Sequence, residues 1–320
     1  MPLLLRLYVS HGGHLIFFSS FLQTAAFPLL LPPLILSHCL HRRHRNKPNL
    51  CFSTIMTPPL LLSCAVLGVL TAAVNLFYAY GLFYVPVSTS SLLLSTQLCF
   101  TSVFAFLIVK QRFTPFSINA VMLLTMGAVV LGVNAGRDRP EGVRSRKYFL
   151  GFCMTIGAAV LDGLLPTLAE LMYMKVKREV TYLLVLETQV VIGFVATFCC
   201  AVGMLIHGEF QAISREAKEY GLGEANYYLV ILSFAVVMQC FFLGRVGVVF
   251  FSSALLTGIV VDVLLPVTVV LAVVFFHEPF TNNKAVALVL SLWGFISYIY
   301  GELREQNVVK KETSLPVLEG

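Results

Sequence analysis

Apolar residues along this chain do not recur with the spacing of an amphipathic surface helix. They run unbroken for about 17–25 residues at a time, the length a helix needs to cross a bilayer, and short polar stretches separate them. Nine such runs lie near 18–38, 60–83, 88–109, 116–135, 149–173, 182–206, 227–244, 249–276 and 285–301. Each predicts a membrane-spanning helix, because a backbone in lipid must satisfy its own hydrogen bonds. The first run leads straight into HRRHRNK (41–47) with no small-residue cleavage site, so it reads as a span and not as a signal peptide.

Composition agrees: 58% of the 320 residues are hydrophobic and 12% charged, against about a quarter charged in soluble domains. The net charge of +6 comes from bases in short loops and tails, a topology signal that makes no nucleic-acid surface. With the carboxyl end cytoplasmic, the inner loops hold thirteen bases and the outer ones nine. The 137–147 loop, RDRPEGVRSRK, runs against that vote. Nine spans with an inner carboxyl end would leave the amino end outside. The eight cysteines show no CxxC and no ligand spacing, and read as packing residues. No metal or cofactor is expected.

Two segments half a chain apart resemble each other. KQRFTPFSINAVMLLTMGAVVLGVNAG (110–136) overlies HEPFTNNKAVALVLSLWGFISYIYGE (277–302), with Phe113-Thr114 on Phe280-Thr281 and Gly127 on Gly294, an offset of 167. This is the pattern of duplicated transporter halves. The expected units are residues 1–136, a loop at 137–148, residues 149–303, and a cytoplasmic tail at 304–320. The first unit holds four spans and the second five. MPLLLRLYVSHGG reads as the end of a helix and its exit loop, so the expectation is a ten-helix plan lacking its first helix.

Inside the spans stand four acids, Asp162, Glu170, Glu187 and Asp262, and not one Lys or Arg. Intramembrane charges are costly and face a cavity or a partner. Acids without bases suit proton or sodium coupling better than they suit an anionic substrate. Gln23, Asn75, Tyr78, Tyr80, Gln97, Gln189 and Gln239 add uncharged donors and acceptors that match the edge of a nitrogenous ring. Phe77, Phe100, Phe241 and Trp293 offer faces on which such a ring stacks. For each, the competing reading is helix-to-helix glue or simple packing. Pro166 and Pro266 each follow an aspartate by four residues and mark expected breaks or kinks.

YVPVSTSSLLLSTQLCFTSVFAFLIVKQRFTPFSIN (84–119), CFFLGRVGVVFFSSALLTG (240–258) and ALVLSLWGFISYIYGE (287–302) together resemble the plant purine permease family of the drug/metabolite transporter superfamily. The resemblance implies an all-α polytopic membrane protein of two inverted five-helix repeats, here with about nine helices. It also implies proton-coupled uptake, at the plasma membrane, of adenine, cytokinins and related alkaloids. Carried over by position, it brings forward Gln23 and Thr24 in SSFLQTA, and Asn75, Tyr78 and Tyr80 in NLFYAYG. It adds Gln97 in STQL, Glu187 and Gln189 in YLLVLETQ, and Gln239 in MQCFFLG. Glu187, Glu170 and Asp262 are the proton-coupling candidates. Glu278 of HEPFT matches a structural glutamate of the superfamily. Val74 and Val269 stand where acids are expected, and Asp162 where a tyrosine is usual. The alternatives are a sugar-nucleotide or phosphate-ester exchanger, disfavoured by the lack of buried bases, and an inactive or regulatory truncated form. A membrane enzyme would need a metal group or nucleophile dyad that the seven histidines do not supply.

Overall fold

The computed structural model describes residues 2–37, 57–109, 115–133, 144–175, 182–251, 267–276 and 280–314, and these are helical throughout apart from short turns. In chain order the helices are α1 (Pro2–Ser10), α2 (Ile16–Ala25), α3 (Pro58–Tyr84), α4 (Val87–Leu94), α5 (Gln97–Phe104) and α6 (Pro115–Val133). There follow α7 (Ser145–Lys175), α8 (Tyr182–His207), α9 (Glu209–Glu219), α10 (Glu224–Phe251), α11 (Val267–Phe276) and α12 (Asn282–Ser314). A 3₁₀ turn at Phe27–Leu30 extends α2 into a span over Ile16–Ser37; Pro28 has no N–H to continue the α ladder there.

Among the described residues seven helices are long and apolar enough to cross a membrane, and the shorter apolar stretches Ile118–Gly127 and Val267–Phe276 fall on the fourth and eighth expected spans. Large apolar side chains such as Phe198, Leu205, Ile206, Val274 and Phe275 are exposed on the bundle's outside. In water that surface would be untenable; in lipid it is the solvated face. The chain is therefore an all-α polytopic membrane protein.

Since lipid gives no hydrophobic drive between helices, the bundle packs where small residues let backbones approach. A Cβ on Gly81 would collide with Thr155 of α7, and one on Gly157 would sit 3.1 Å from the Phe77 ring of α3. Farther along, the Cys64 and Met172 sulfurs lie 3.8 Å apart. So α3 and α7 run antiparallel along their length. A Cβ on Gly68 would sit 2.7 Å from Val195, and Ala72 packs with Ala196 and Cys200, so α8 runs parallel to α3.

The half-chain offset reappears as a packing relation. A Cβ on Gly127 would meet Ala287 at 3.5 Å, and one on Gly294 would meet Ala120 at 3.4 Å. Ala120 and Ala287 are themselves separated by the same 167 positions as the two glycines. The contact between α6 and α12 is thus reciprocal and antiparallel, the pairing an approximate two-fold axis produces. Asn119 donates to the Ser297 hydroxyl at 2.9 Å in the same seam.

Three expectations change. Pro166 lies inside an unbroken α7, and the third span tightens into a turn at Ser95–Thr96 between α4 and α5, both residues keeping right-handed helical dihedrals. α12 continues to Ser314, so the tail expected from 304 begins as helix. Between the sixth and seventh spans stands α9, a helix that the run of polar residues hid. Gly208, at φ +66°, reverses the chain between α8 and α9, a backbone state that glycine adopts without Cβ strain.

Candidate functional site

The tightened turn in the third span follows from its sequence. In STSSLLLST, hydroxyl side chains compete for the backbone bonds a helix needs. Ser95 Oγ donates to Leu92 O and Thr96 Oγ1 to Leu93 O, both at 2.7 Å. The Thr96 N–H takes Leu93 O at 3.1 Å, a tight i to i−3 turn. The helix restarts at Gln97 and winds into a π-helical turn over Ala105–Val109. Ser95 Oγ also meets Ser291 Oγ of α12 at 3.3 Å. α7 presses on the restart with Gly163: a Cβ there would lie 2.9 Å from Gln97 O and from Phe100 Cβ. Only a glycine admits that approach.

A second polar group joins α2 to α3. Gln23 Nε2 donates to the Asn75 carbonyl at 3.4 Å and to Ser19 O at 3.5 Å, and Ser20 Oγ donates to the same Asn75 carbonyl at 3.4 Å. The Gln23 amide nitrogen is therefore engaged as helix glue. Asn75 is not: it is 5% exposed, yet its Nδ2 has no hydrogen-bond partner among the described residues. Ser90 and Ser91 Oγ of α4 share that condition. Buried donors without partners are rare and costly, and they mark places where a ligand or water completes the bonding.

The contacts along α7 give the heights of these groups. Asn75 lies near the level of α7 residue 159 and Gln97 at that of Gly163, so by helical rise they differ by about 6 Å along the bundle. Tyr78 and Met238 belong to one buried cluster with Ala158, and Gln239, the next residue, is buried beside it on α10. Asn75 and Gln97 thus lie at neighbouring heights near mid-bundle, with Tyr78 one turn from Asn75, and with the buried Gln239 they make up a candidate amide and hydroxyl layer. Thr24 is buried and turns its hydroxyl to Phe21 O at 3.3 Å.

Two of the acids, Glu187 and Glu170, lie elsewhere, while Asp162, next to Gly163, stands at the height of Gln97. Glu187 is fully buried in the second turn of α8, beside Thr188, whose hydroxyl meets Tyr173 at 2.8 Å. With α8 parallel to α3, Glu187 sits about 20 Å from the level of Asn75, and Glu170 about 16 Å from it, on the same side. Glu170 and Gln189 are partly buried. Glu187 and Glu170 are thus placed apart from Asn75 and Gln97, whereas Gln189 stands two residues from Glu187. Asp262, Pro266 and Glu278 lie outside the described residues.

Two expectations are revised. Trp293 is 62% exposed among Val289, Leu292 and Ile296, a lipid-facing position away from the amide layer. The spans are not quite free of bases: Lys284, one residue before the expected start of the last span, is fully buried in the first turn of α12. It is engaged in an interaction and stands at the end of the bundle opposite the buried acids.

Sequence reasoning missed Glu209 and Glu216 on α9. Glu216 Oε2 accepts the His14 N–H at 2.8 Å, and Oε1 accepts the Tyr227 hydroxyl at 3.0 Å and the Tyr8 hydroxyl. Glu209 accepts the Phe17 and Phe18 N–H groups at 3.2 and 2.7 Å. Burial pushes the Glu209 carboxyl up from its ordinary range, opposed by those two N–H donors. The only signal was their spacing of seven, which puts both on one helix face.

A lipid-facing helical bundle with buried amides near mid-bundle suits a small-molecule membrane transporter. A family model described as purine nucleobase transmembrane transport matches residues 1–308. Purine permease 3 of Arabidopsis thaliana is 45% identical over 95% of this chain and 86% of its own length. Purine permease 2 of the same plant is 46% identical over 99% and 92%. The chain belongs to the plant purine permease family, whose members are transporters and not enzymes. A solved crystal structure aligns at TM-score 0.52 over 95% of this chain and 96% of its own, with 15% identity, and shares the fold.

Proposed function

We propose that this chain is a proton-coupled importer of purine bases and related planar nitrogenous compounds, cytokinins and alkaloids among them, at the plasma membrane with its carboxyl end cytoplasmic. Family membership carries the substrate class. The residue-level support is the amide layer: Asn75, Gln97 and Gln239 present donors and acceptors to a ring edge, and the Asn75 Nδ2 stands ready for a ring nitrogen. Phe77 and Phe100, at Gly157 and Gly163 of α7, offer stacking faces at that level.

Glu187 and Glu170 then serve as proton carriers on the cytoplasmic side of the substrate layer. A protonated buried carboxyl has lost the desolvation cost of its charge, which lets the loaded carrier rock between its two openings. The reciprocal α6–α12 contact supports an alternating-access plan of two inverted repeats, residues 1–136 with four spans and 149–303 with five. It does so by pairing equivalent helices head to tail.

Uptake of radiolabelled adenine into proteoliposomes, with and without an inward proton gradient, tests the reading. The expected result is uptake that rises with the gradient. Equal uptake without it removes the coupling, and no uptake under either condition removes the substrate.

A further inference from the structure

The residue preceding α2 is Leu15, which has no side chain to cap a helix. The first-turn N–H groups of a helix need acceptors and carry partial positive charge. Glu209 supplies both needs from 192 positions away: one oxygen takes Phe17 N–H and the other takes Phe18 N–H. Two turns along the same face of α9, Glu216 takes the His14 N–H in the turn leading into α2. It also takes the hydroxyls of Tyr8 on α1 and Tyr227 on α10. The Tyr220 hydroxyl adds a bond to Leu7 O at 3.3 Å, and the His207 ring stacks on Phe17 at 4.3 Å between centroids. Every carboxylate oxygen on this face of α9 holds a donor from the α1–α2 corner or from α10. One turn beyond the capped end of α2, Ser20 and Gln23 donate to the Asn75 carbonyl.

We propose that α9 is a positioning strap for transport: Glu209 and Glu216 fix the height of α2 and, through Ser20 and Gln23, the placement of Asn75 in the substrate layer. The link to substrate rests on the purine-transport reading above. The strap itself does not. The path is short and physical, one helix of ten residues whose start is gripped by α9 and whose last two turns grip α3.

Glu209→Ala, Glu216→Gln and the double variant Tyr8→Phe/Tyr227→Phe, each compared per folded molecule with the parent full-length chain in nanodiscs, test the strap with three measurements. Trypsin cleavage after the exposed Arg215 and Lys218 is expected to quicken at least about fivefold, because charge-assisted bonds of this kind hold the helix down. In an Asn75→Cys background, the rate at which a maleimide labels position 75, read by peptide mass spectrometry, is expected to change several-fold on adding Glu209→Ala. The KM for adenine is expected to rise about five- to tenfold. Unchanged cleavage overturns the strap. Quicker cleavage with unchanged labelling and KM makes α9 a surface brace and overturns the positioning role. If the parent takes up no adenine, the purine reading fails, while cleavage and labelling still decide the strap.

Discussion

Two polar regions of this bundle are built on opposite rules. At the α9 corner both carboxylates are saturated, with Glu216 gathering Tyr8, His14 and Tyr227 and Glu209 gathering the start of α2. In the mid-bundle layer, Asn75 Nδ2, Ser90 Oγ and Ser91 Oγ are buried with no partner among the described residues. A saturated network locks helices in one arrangement. An unsatisfied one keeps its bonding capacity for something that comes and goes. A carrier needs both, a fixed corner and a layer whose best bonds are made only when substrate is present.

The largest expected effect lies where the layer depends on backbone contact. Gly163→Val places branched carbons against Gln97 O and Phe100, an overpacking cost of about 3 kcal/mol or more. Folded yield by fluorescence size-exclusion is expected to collapse, and wild-type yield would mean α7 and α5 have room that the contact denies.

Next comes Asn75→Ala. Removing an amide whose Nδ2 bonds nothing among the described residues is expected to leave thermal stability within about 1 kcal/mol while reducing adenine uptake about tenfold or more. A large stability loss with normal uptake would show that Asn75 is glue and would erase the contrast between the two regions. Among the acids, Glu170→Gln is expected to impair gradient-driven uptake more than Asp162→Asn, and the reverse order would move proton handling up to the substrate layer.

At the saturated corner, Glu209→Ala leaves two first-turn N–H groups uncapped, and a cap is worth about 1–2 kcal/mol; a melting temperature lowered by a few degrees is the expected reading. The smallest effect concerns pH. Because burial raises the Glu209 carboxyl in the folded chain, its contribution to stability is greatest at low pH. It declines as pH rises from the ordinary value of 4.5 through the raised one. The parent is therefore expected to lose melting temperature relative to Glu209→Gln across that interval, and a relative gain would reverse the sign.

Much of this was readable in the chain. The apolar runs predict helices, because lipid leaves a backbone no other way to satisfy itself, and among the described residues seven of the nine are long and apolar enough to span while the other two hold shorter apolar helices. The pairing of Gly127 with Gly294 in sequence announced a contact that the fold makes reciprocal. The candidate site was legible only as a set of residue types. Gln23, Asn75, Gln97 and Gln239 are alike in composition, yet the fold spends the Gln23 amide on a neighbouring carbonyl and leaves that of Asn75 open. The same holds for Trp293, whose lipid-facing position no local pattern reveals in a helix apolar all round. Pro166 signalled a break or a kink, whereas the hydroxyl run at 88–96 entered the expectations only as part of a span. α7 continues through its proline, while at Ser95–Thr96, where the hydroxyls donate to the Leu92 and Leu93 carbonyls, the third span tightens into a short turn without leaving the helical region.

The sequence by itself determined the solvent and the inventory of polar residues within the apolar runs, which depend on hydropathy and local bonding. Tertiary structure alone decided which donors are satisfied, that Glu187 and Glu170 stand about a third of a bilayer or more from Asn75 and Gln97 while Asp162 shares the height of Gln97, and that two glutamates in a polar loop grip helices nearly two hundred positions away. Those outcomes depend on which helix faces meet, and that is set by close approach at Gly68, Gly81, Gly157 and Gly163, contacts between residues far apart along the chain.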